Sequence, residues 1–199
     1  MIRRGAIMRP YQSGAIPDIL AVKCPRCESQ AIFIFATFGE IKTKEHISYF
    51  KKSRQLDYRR LQDCYGGHRN FAVYYPNLRG FIKNLPADYS STYWNHPLNL
   101  IRQHNSTNGT IYCLKCRLRR KHRLKWPDEA FYQINYKGKN LWAFDRETSV
   151  LLLEFVKAKD RDYSKSKFCR FLFKIPAHFL HRKARSTVVK KLHDLLDRT

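Results

Sequence analysis

Acidic residues are scarce in this chain: 16 Asp and Glu stand against 39 Lys and Arg, a formal charge of +23 on 199 residues. Such an imbalance repels itself in a compact state unless a polyanion lies against it, which makes nucleic acid the first partner to consider. Long apolar runs are missing as well. The longest, Ala31–Ala36, and shorter ones such as Val150–Leu153 fall far short of the ~18 residues a membrane-spanning helix requires. The opening Met1-Ile2-Arg3-Arg4-Gly5 is basic but lacks the apolar stretch and small-residue cleavage site of a secretory signal, so a cytoplasmic location is expected. Core-forming residues, by contrast, are plentiful: 43% of the chain is apolar and 14% aromatic, too much for a disordered polybasic tail.

Signatures of catalysis are also lacking. There is no His-x-Glu element with Pro-Cys-x-x-Cys, as a zinc deaminase needs, because Pro25 lies inside the first cysteine pair rather than before it. A nucleophile elbow, a P-loop and a His-Glu-x-x-His helix are absent too. No enzyme activity is expected.

What the sequence does carry is a duplicated Cys-x-x-Cys spacing, Cys24-Pro25-Arg26-Cys27 and Cys113-Leu114-Lys115-Cys116. Two thiolates at that spacing on a tight turn reach one centre, and two such turns complete a tetrahedral Zn2+ site. Disulfides and a thioredoxin-like redox pair are the competing readings. A cytoplasmic chain disfavours the first, and the second would occur once, in a βαβ setting that is missing here. Cys64-Tyr65-Gly66-Gly67-His68 competes for one half of the site, since its Gly pair permits the turn a chelate needs. Cys169 reads as a buried thiol on a helix.

The pattern along the chain is α+β: a zinc-ribbon-like N-terminal part with a long insert, followed by a small basic C-terminal helical bundle. The first twenty residues are loop-like until Ile19–Val22 leads as a strand into the first cysteine pair, and Gln30–Phe38 leaves it as a strand ended by Gly39. The insert, residues 28–112, is too long for a plain ribbon and must fold. Within it Glu45–Leu61 reads as a basic amphipathic helix and Asn70–Tyr75 as a strand. Residues 86–109 read as a loop whose Tyr89, Tyr93 and Trp94 either pin it to a core or offer faces for base stacking. Ala130–Tyr136 and Asn140–Phe144, joined through Lys137-Gly138-Lys139, form a hairpin. Helices follow over Val150–Val156, capped by Asp145 or Thr148, over Ser164–Phe173, and beyond Pro176, where Ala177, Leu180, Ala184, Val188, Leu192 and Leu195 make one stripe. The expected domains are 1–144 and 145–199.

The best phosphate-binding candidate is the acid-free block after the second pair: Arg117, Arg119, Arg120, Lys121, Arg123 and Lys125. A solvated charged face is the bland alternative. Asn95, Asn99, Arg102 and Gln103 are candidates for reading bases, and Lys183 and Lys190, on the outer face of the last helix, for following a strand.

Two family resemblances arise from these residues. Asn108–Cys116 is similar to the second cysteine turn of HNH nucleases, but Arg117 follows the last Cys where that family commonly has His, and His96 and His104 lack the paired partner. The other covers most of the chain. The N-terminal Cys-x-x-Cys, the long insert, the second Cys-x-x-Cys and a C-terminal helical region including Phe171–Leu180 resemble, in layout, the compact large subunit of type IV CRISPR effector complexes. That resemblance implies a non-catalytic subunit at the foot of a guide-RNA ribonucleoprotein, beside its backbone and tail subunits. It would help recognise the short motif flanking a target DNA and hold the opened strands, with a DinG-type helicase as accessory partner in plasmid-directed interference. Composition and spacing alone point to a zinc-stapled, aromatic-rich nucleic-acid binder, for which a free-standing DNA-binding accessory protein is the alternative.

Overall fold

A computed structural model describes residues 16–62, 66–78, 80, 82, 85–87, 89, 94–95, 107–161, 166 and 168–198, and among them ten strands, interrupted by one helix after the third, are followed by four more helices. Contacts divide the chain into two compact units, and the border falls at residues 22/23 and 129/130 rather than at 144. One unit joins the described residues up to Val22 with those from Ala130 onward; the other is Lys23–Glu129. The expected split after the hairpin gives way because Ala21 donates its N–H to the Phe144 carbonyl (2.8 Å) and accepts from Phe131 (3.1 Å), so the N-terminal segment packs with the C-terminal part.

In the Lys23–Glu129 unit, β2 (Gln30–Phe35), β7 (Asn108–Tyr112) and β8 (Arg119–Arg123) lie side by side and antiparallel, with Ile32 opposite Tyr112 and Ile111 opposite Arg120. The single strand expected over Gln30–Phe38 breaks at Ala36. Its N–H turns to the Asn108 carbonyl (3.0 Å), and the chain enters a second sheet as β3 (Thr37–Ile41), with Gly39 inside the strand rather than ending it. That sheet has the order β4 (Asp57–Gln62), β5 (His68–Tyr74), β3, β6 (Trp94–Asn95). Both of its faces are covered. Phe71 and Val73 join Ala36, Phe38 and Tyr75, whereas Ala72 joins Ile41, Phe50, Leu56 and Tyr89, as the two-residue period of a strand requires.

The helix expected over Glu45–Leu61 stops early, as α1 (Lys44–Lys52). Thr43 caps its start by accepting from the His46 N–H (3.3 Å). Ser53 ends it, because its hydroxyl captures the N–H groups of Gln55 (3.3 Å) and Leu56 (3.2 Å), an alternative to helical bonding that short hydroxyl side chains offer. The chain beyond turns into β4.

The other unit contains most of β1 (Ile19–Lys23), the hairpin β9 (Gln133–Tyr136) and β10 (Lys139–Trp142), and helices α2 (Arg146–Lys157), α3 (Cys169–Leu172), α4 (Ala177–Leu180) and α5 (Arg182–Asp197). The hairpin turns through Lys137 (φ 49°) and Gly138 (φ 74°), two left-handed residues in succession, the backbone of a type I′ turn. Asp145 caps α2 in a reciprocal box with Thr148. The expected helix over Ser164–Phe173 shrinks to α3 among the described residues, and Cys169, at its start, is half-buried rather than buried. The stripe expected after Pro176 is cut at His181, whose extended backbone (ψ 147°) separates α4 from α5. Phe179 and Leu196 are buried in place of Ala177, Leu180 and Leu195. Trp142, Phe144 and Phe171 form an aromatic core with ring centroids 4.9–5.3 Å apart, and Leu152, Phe155, Phe179, Val188 and Leu192 are buried in the same unit. No described helix is long and apolar enough to cross a membrane.

Candidate metal centre and basic strand

The antiparallel pairing of β2 with β7 brings the start of one against the end of the other, and so sets the two cysteine turns together across the whole insert. The turns are built alike. Cys24 donates its N–H to the Ser29 carbonyl (2.8 Å) and Cys113 to that of Leu118 (2.9 Å), each five residues on. Glu28 (φ 57°) and Arg117 (φ 54°), each directly after the last cysteine of its turn, are both left-handed. This conformation costs a non-glycine residue on the order of 1 kcal/mol, so its occurrence at both equivalent positions is a property of the turn.

All four Sγ atoms lie within 4.8 Å of one another. Cys24 and Cys116 are 3.5 Å apart and Cys27 and Cys113 3.7 Å. A disulfide would bring a pair to about 2.05 Å; a metal with bonds of about 2.3 Å at the centre of a sulfur tetrahedron puts its edges near 3.8 Å. The disulfide reading therefore fails, and the cluster has the dimensions of a four-thiolate metal site. Its electrostatics fit as well. The Ser29 backbone N–H, opposed by burial and helped by the Ser29 hydroxyl and the thiols of Cys116 and Cys24, brings Cys27 down to about 6. The Leu118 N–H pulls Cys116 down, but burial and the thiols of Cys24, Cys27 and Cys113 outweigh it and push Cys116 up to about 11. One thiolate forms readily and hinders the next, a repulsion that a bound cation would relieve. Four soft donors suit a metal such as zinc or iron, and four protein ligands leave no coordination position open for chemistry.

Of the rival pair, Cys64 lies outside the described residues, and His68 is exposed at the start of β5, opposite Gln62. No other cluster of His, Cys, Asp or Glu among the described residues has metal-binding dimensions.

The basic block begins at the second turn and runs along β8. As a strand it places Arg119, Lys121 and Arg123 on one face and Arg120 and His122 on the other, and each face carries one engaged side chain among exposed arginines. Lys121 pairs with the Asp57 carboxylate and lies over the Tyr75 ring, 4.6 Å from its centroid, so its charge is used within the protein. His122 meets Glu129 (2.8 Å), which also accepts from the Lys125 N–H (3.0 Å) and so ties down the end of the strand. Arg117, Arg119, Arg120 and Arg123 are exposed, and among the described residues none forms an ion pair. Lys115 and Lys125 are exposed as well.

Tyr89 is not a stacking platform. Its ring packs on Phe50 (4.9 Å) and His46 (5.5 Å), and its hydroxyl donates to the Glu40 carbonyl (3.1 Å). Tyr93, Asn99, Arg102 and Gln103 lie outside the described residues, while Trp94 and Asn95 supply backbone to β6. An aromatic that sequence reasoning left unassigned stands beside the arginines instead. Tyr112, half-exposed at the end of β7, is the direct partner of Arg119, so their side chains share one face. With Ile32, Leu114 and Lys115 it lines a hollow of about 340 Å3, and Leu114 at the tip of the turn is 80% exposed. Its place immediately before a ligand cysteine was the available signal. Lys183 and Lys190 are exposed, two turns apart on α5.

No protein-family model, curated protein or solved structure matches the chain. Fold and site define an α+β protein with a four-cysteine centre of metal-binding dimensions.

Proposed function

We propose that this chain is a zinc-stapled, non-catalytic nucleic-acid-binding protein that grips the phosphate backbone through β8 and the turn before it. The observation that carries the reading is that Arg117, in the turn, and Arg119, Arg120 and Arg123, along β8, are all exposed and without ion pairs among the described residues, on a segment anchored at one end by the cysteine cluster. Arginines held this way release counterions from a phosphate backbone without first giving up an internal partner. Tyr112 beside Arg119 adds a ring on which an unpaired base stacks. Zinc is the metal that four cysteines in two such turns ordinarily select, and a closed site of this kind stabilises a fold rather than performing a reaction.

The layout resemblance extends this reading to the large subunit of a type IV CRISPR guide-RNA complex, in which the basic strand would lie along target DNA near the flanking motif. Zinc content and DNA binding test the first level. Elemental analysis should give about one zinc and no iron per chain, and Cys113→Ser should lower it; full occupancy in the Cys24→Ser, Cys113→Ser double variant would overturn the ligand set. Replacing Arg117, Arg119, Arg120 and Arg123 by Ala should weaken DNA binding and flatten its dependence on salt, whereas an unchanged salt slope would place the contact elsewhere. Co-expression with its genomic neighbours tests the second level. Co-purification with a guide RNA and sister subunits, with affinity that responds to the base pairs beside a guide-matched target, supports the effector subunit. Salt-dependent DNA binding without any such association supports the free-standing accessory protein.

A further inference from the structure

The cysteine cluster and β8 belong to one unit, yet a basic concavity lies in the other. Where the β9–β10 turn meets the α4–α5 junction, a cavity of about 590 Å3 opens beside Tyr136. Lys137 and Lys139 come from the hairpin and His178, His181, Arg182 and Lys183 from the two helices; no carboxylate lines it among the described residues. The placement is enforced by the fold. The left-handed turn at Lys137-Gly138 sets both hairpin lysines at its rim, and the extended backbone of His181 ends one helix and starts the next at the same rim. Lys191 donates to the Asn135 carbonyl (2.7 Å) and holds α5 to the hairpin.

Three features make this hollow selective for an anion. Like charges gather here without compensation: burial first, then Lys139 and His181, hold His178 below the ordinary histidine range. The His178 Nε2 atom is buried with no hydrogen-bond partner among the described residues. The first turn of α5, a helix of 16 residues, has no acidic side chain and no side-chain cap, so its free N–H groups add to the positive end. Most of the open wall, however, is carbon; Tyr136 is among its lining residues, with the Lys137 Nζ 5.6 Å from the ring centroid. A cavity of this volume falls in the ~300–1,000 Å3 range of small-ligand sites. A cationic rim on a carbon wall matches a phosphate attached to a flat, apolar body.

We propose that this cavity binds a single terminal nucleotide, its phosphate held by Lys139, Arg182 and Lys183 and its base or sugar against Tyr136. The same chemistry is presented by the phosphorylated end of a strand and by a free nucleotide. The site is separate from the β8 surface and does not depend on it.

The test uses the full chain and short single strands that differ only in carrying a terminal phosphate or a hydroxyl, at the 5′ end in one series and the 3′ end in another. AMP, inorganic phosphate and poly-glutamate serve as competitors. In one series the phosphorylated strand should bind about tenfold tighter than its hydroxyl counterpart, the scale of one charge-assisted hydrogen bond, and AMP should displace it. The Lys139→Ala, Arg182→Ala, Lys183→Ala variant should abolish that preference. His193→Ala, exposed on the same helix beyond the cavity, should keep it, and so should the β8 arginine variant, although its overall affinity falls. AMP binding that is lost in the cavity variant, with no end preference in either series, would assign the site to a free nucleotide. Equal binding of all strands together with no AMP binding would overturn the proposal, as would poly-glutamate competing as well as AMP, since the cavity would then be reading charge alone or an acidic peptide. Because the replaced side chains are exposed, an unchanged melting curve establishes that the variant is folded.

Discussion

The two units of this protein hold themselves together by different means. The unit of Lys23–Glu129 distributes its apolar residues over small clusters on the two faces of one sheet and joins its other sheet through four cysteines. The hairpin and helical unit concentrates large side chains in one place, with Trp142, Tyr132, Phe144 and Phe179 all fully buried. The first sets its strongly charged strand in a sheet whose Phe33 and Ile111 are fully buried, and ends that sheet at a four-cysteine cluster that could bind a metal ion. The second has the burial to stand without metal. It can therefore leave basic residues ranged around an open cavity.

Metal removal is the sharpest way to break this comparison. A strong chelator should abolish amide protection in β7, β8 and the two cysteine turns, because structural metal binding in such sites is worth about 10–16 kcal/mol of folding free energy, while protection in α2 and α5 persists. Simultaneous loss in both units would show that they share one source of order. The converse perturbation is Trp142→Ala, which removes the largest fully buried side chain among the described residues and should cost about 3–5 kcal/mol. The loss should appear in the helical unit by near-ultraviolet circular dichroism and leave metal stoichiometry unchanged.

Gly109→Ala probes the interior of the metal unit. A Cβ there would overlap the Ile34 carbonyl and the Phe33 ring, so β2 and β7 would have to part. Overpacking of this kind costs about 1–3 kcal/mol and should be accompanied by weaker metal retention against a competing chelator. Glu28→Gly works in the opposite direction. It relieves a left-handed backbone and should raise the melting temperature slightly, by up to about 1 kcal/mol of stability, with the metal retained; a loss of stability would mean that Glu28 serves the turn by its side chain.

The smallest effect concerns pH in the helical unit. Burial, with Lys139 and His181, lowers the folded-state pKa of His178. The unfolded chain, with an ordinary value near 6.5, therefore takes up a proton that the folded chain refuses. Stability is fully present above the unfolded value and declines as pH falls through it toward the folded one. The melting temperature of this unit should fall between about pH 7 and 5, and His178→Gln should flatten that slope. A bound phosphate should flatten it too, by making protonated His178 welcome.

Much of the local structure was legible from short-range pattern. Asp145 with Thr148 marked the start of α2, and Lys137-Gly138 marked the hairpin, because a cap and a two-residue turn are decided by residues three or four positions apart. The departures fell where distant or competing partners intervene. Ser53 redirected the chain out of α1, Ala36 turned toward Asn108, and His181 cut a stripe whose spacing alone looked continuous. In each case hydrophobic periodicity persists across a break that a single backbone conformation creates.

The candidate sites divide along the same line. The cysteine spacing alone identified all four members of the cluster, since two thiols on one tight turn are neighbours whatever the rest of the chain does. That they meet is the work of β2 pairing with β7 across the insert. The sequence also set the charge and located the basic block, but charge written along a chain does not say which cations are spoken for. Only the tertiary structure paired Lys121 with Asp57 and His122 with Glu129, buried Tyr89, set Tyr112 beside Arg119, and assembled a basic cavity from a hairpin turn and a helix junction roughly forty residues apart. Ligand spacing is a local property, whereas a free charge, an open ring and a cavity are defined by what else arrives next to them.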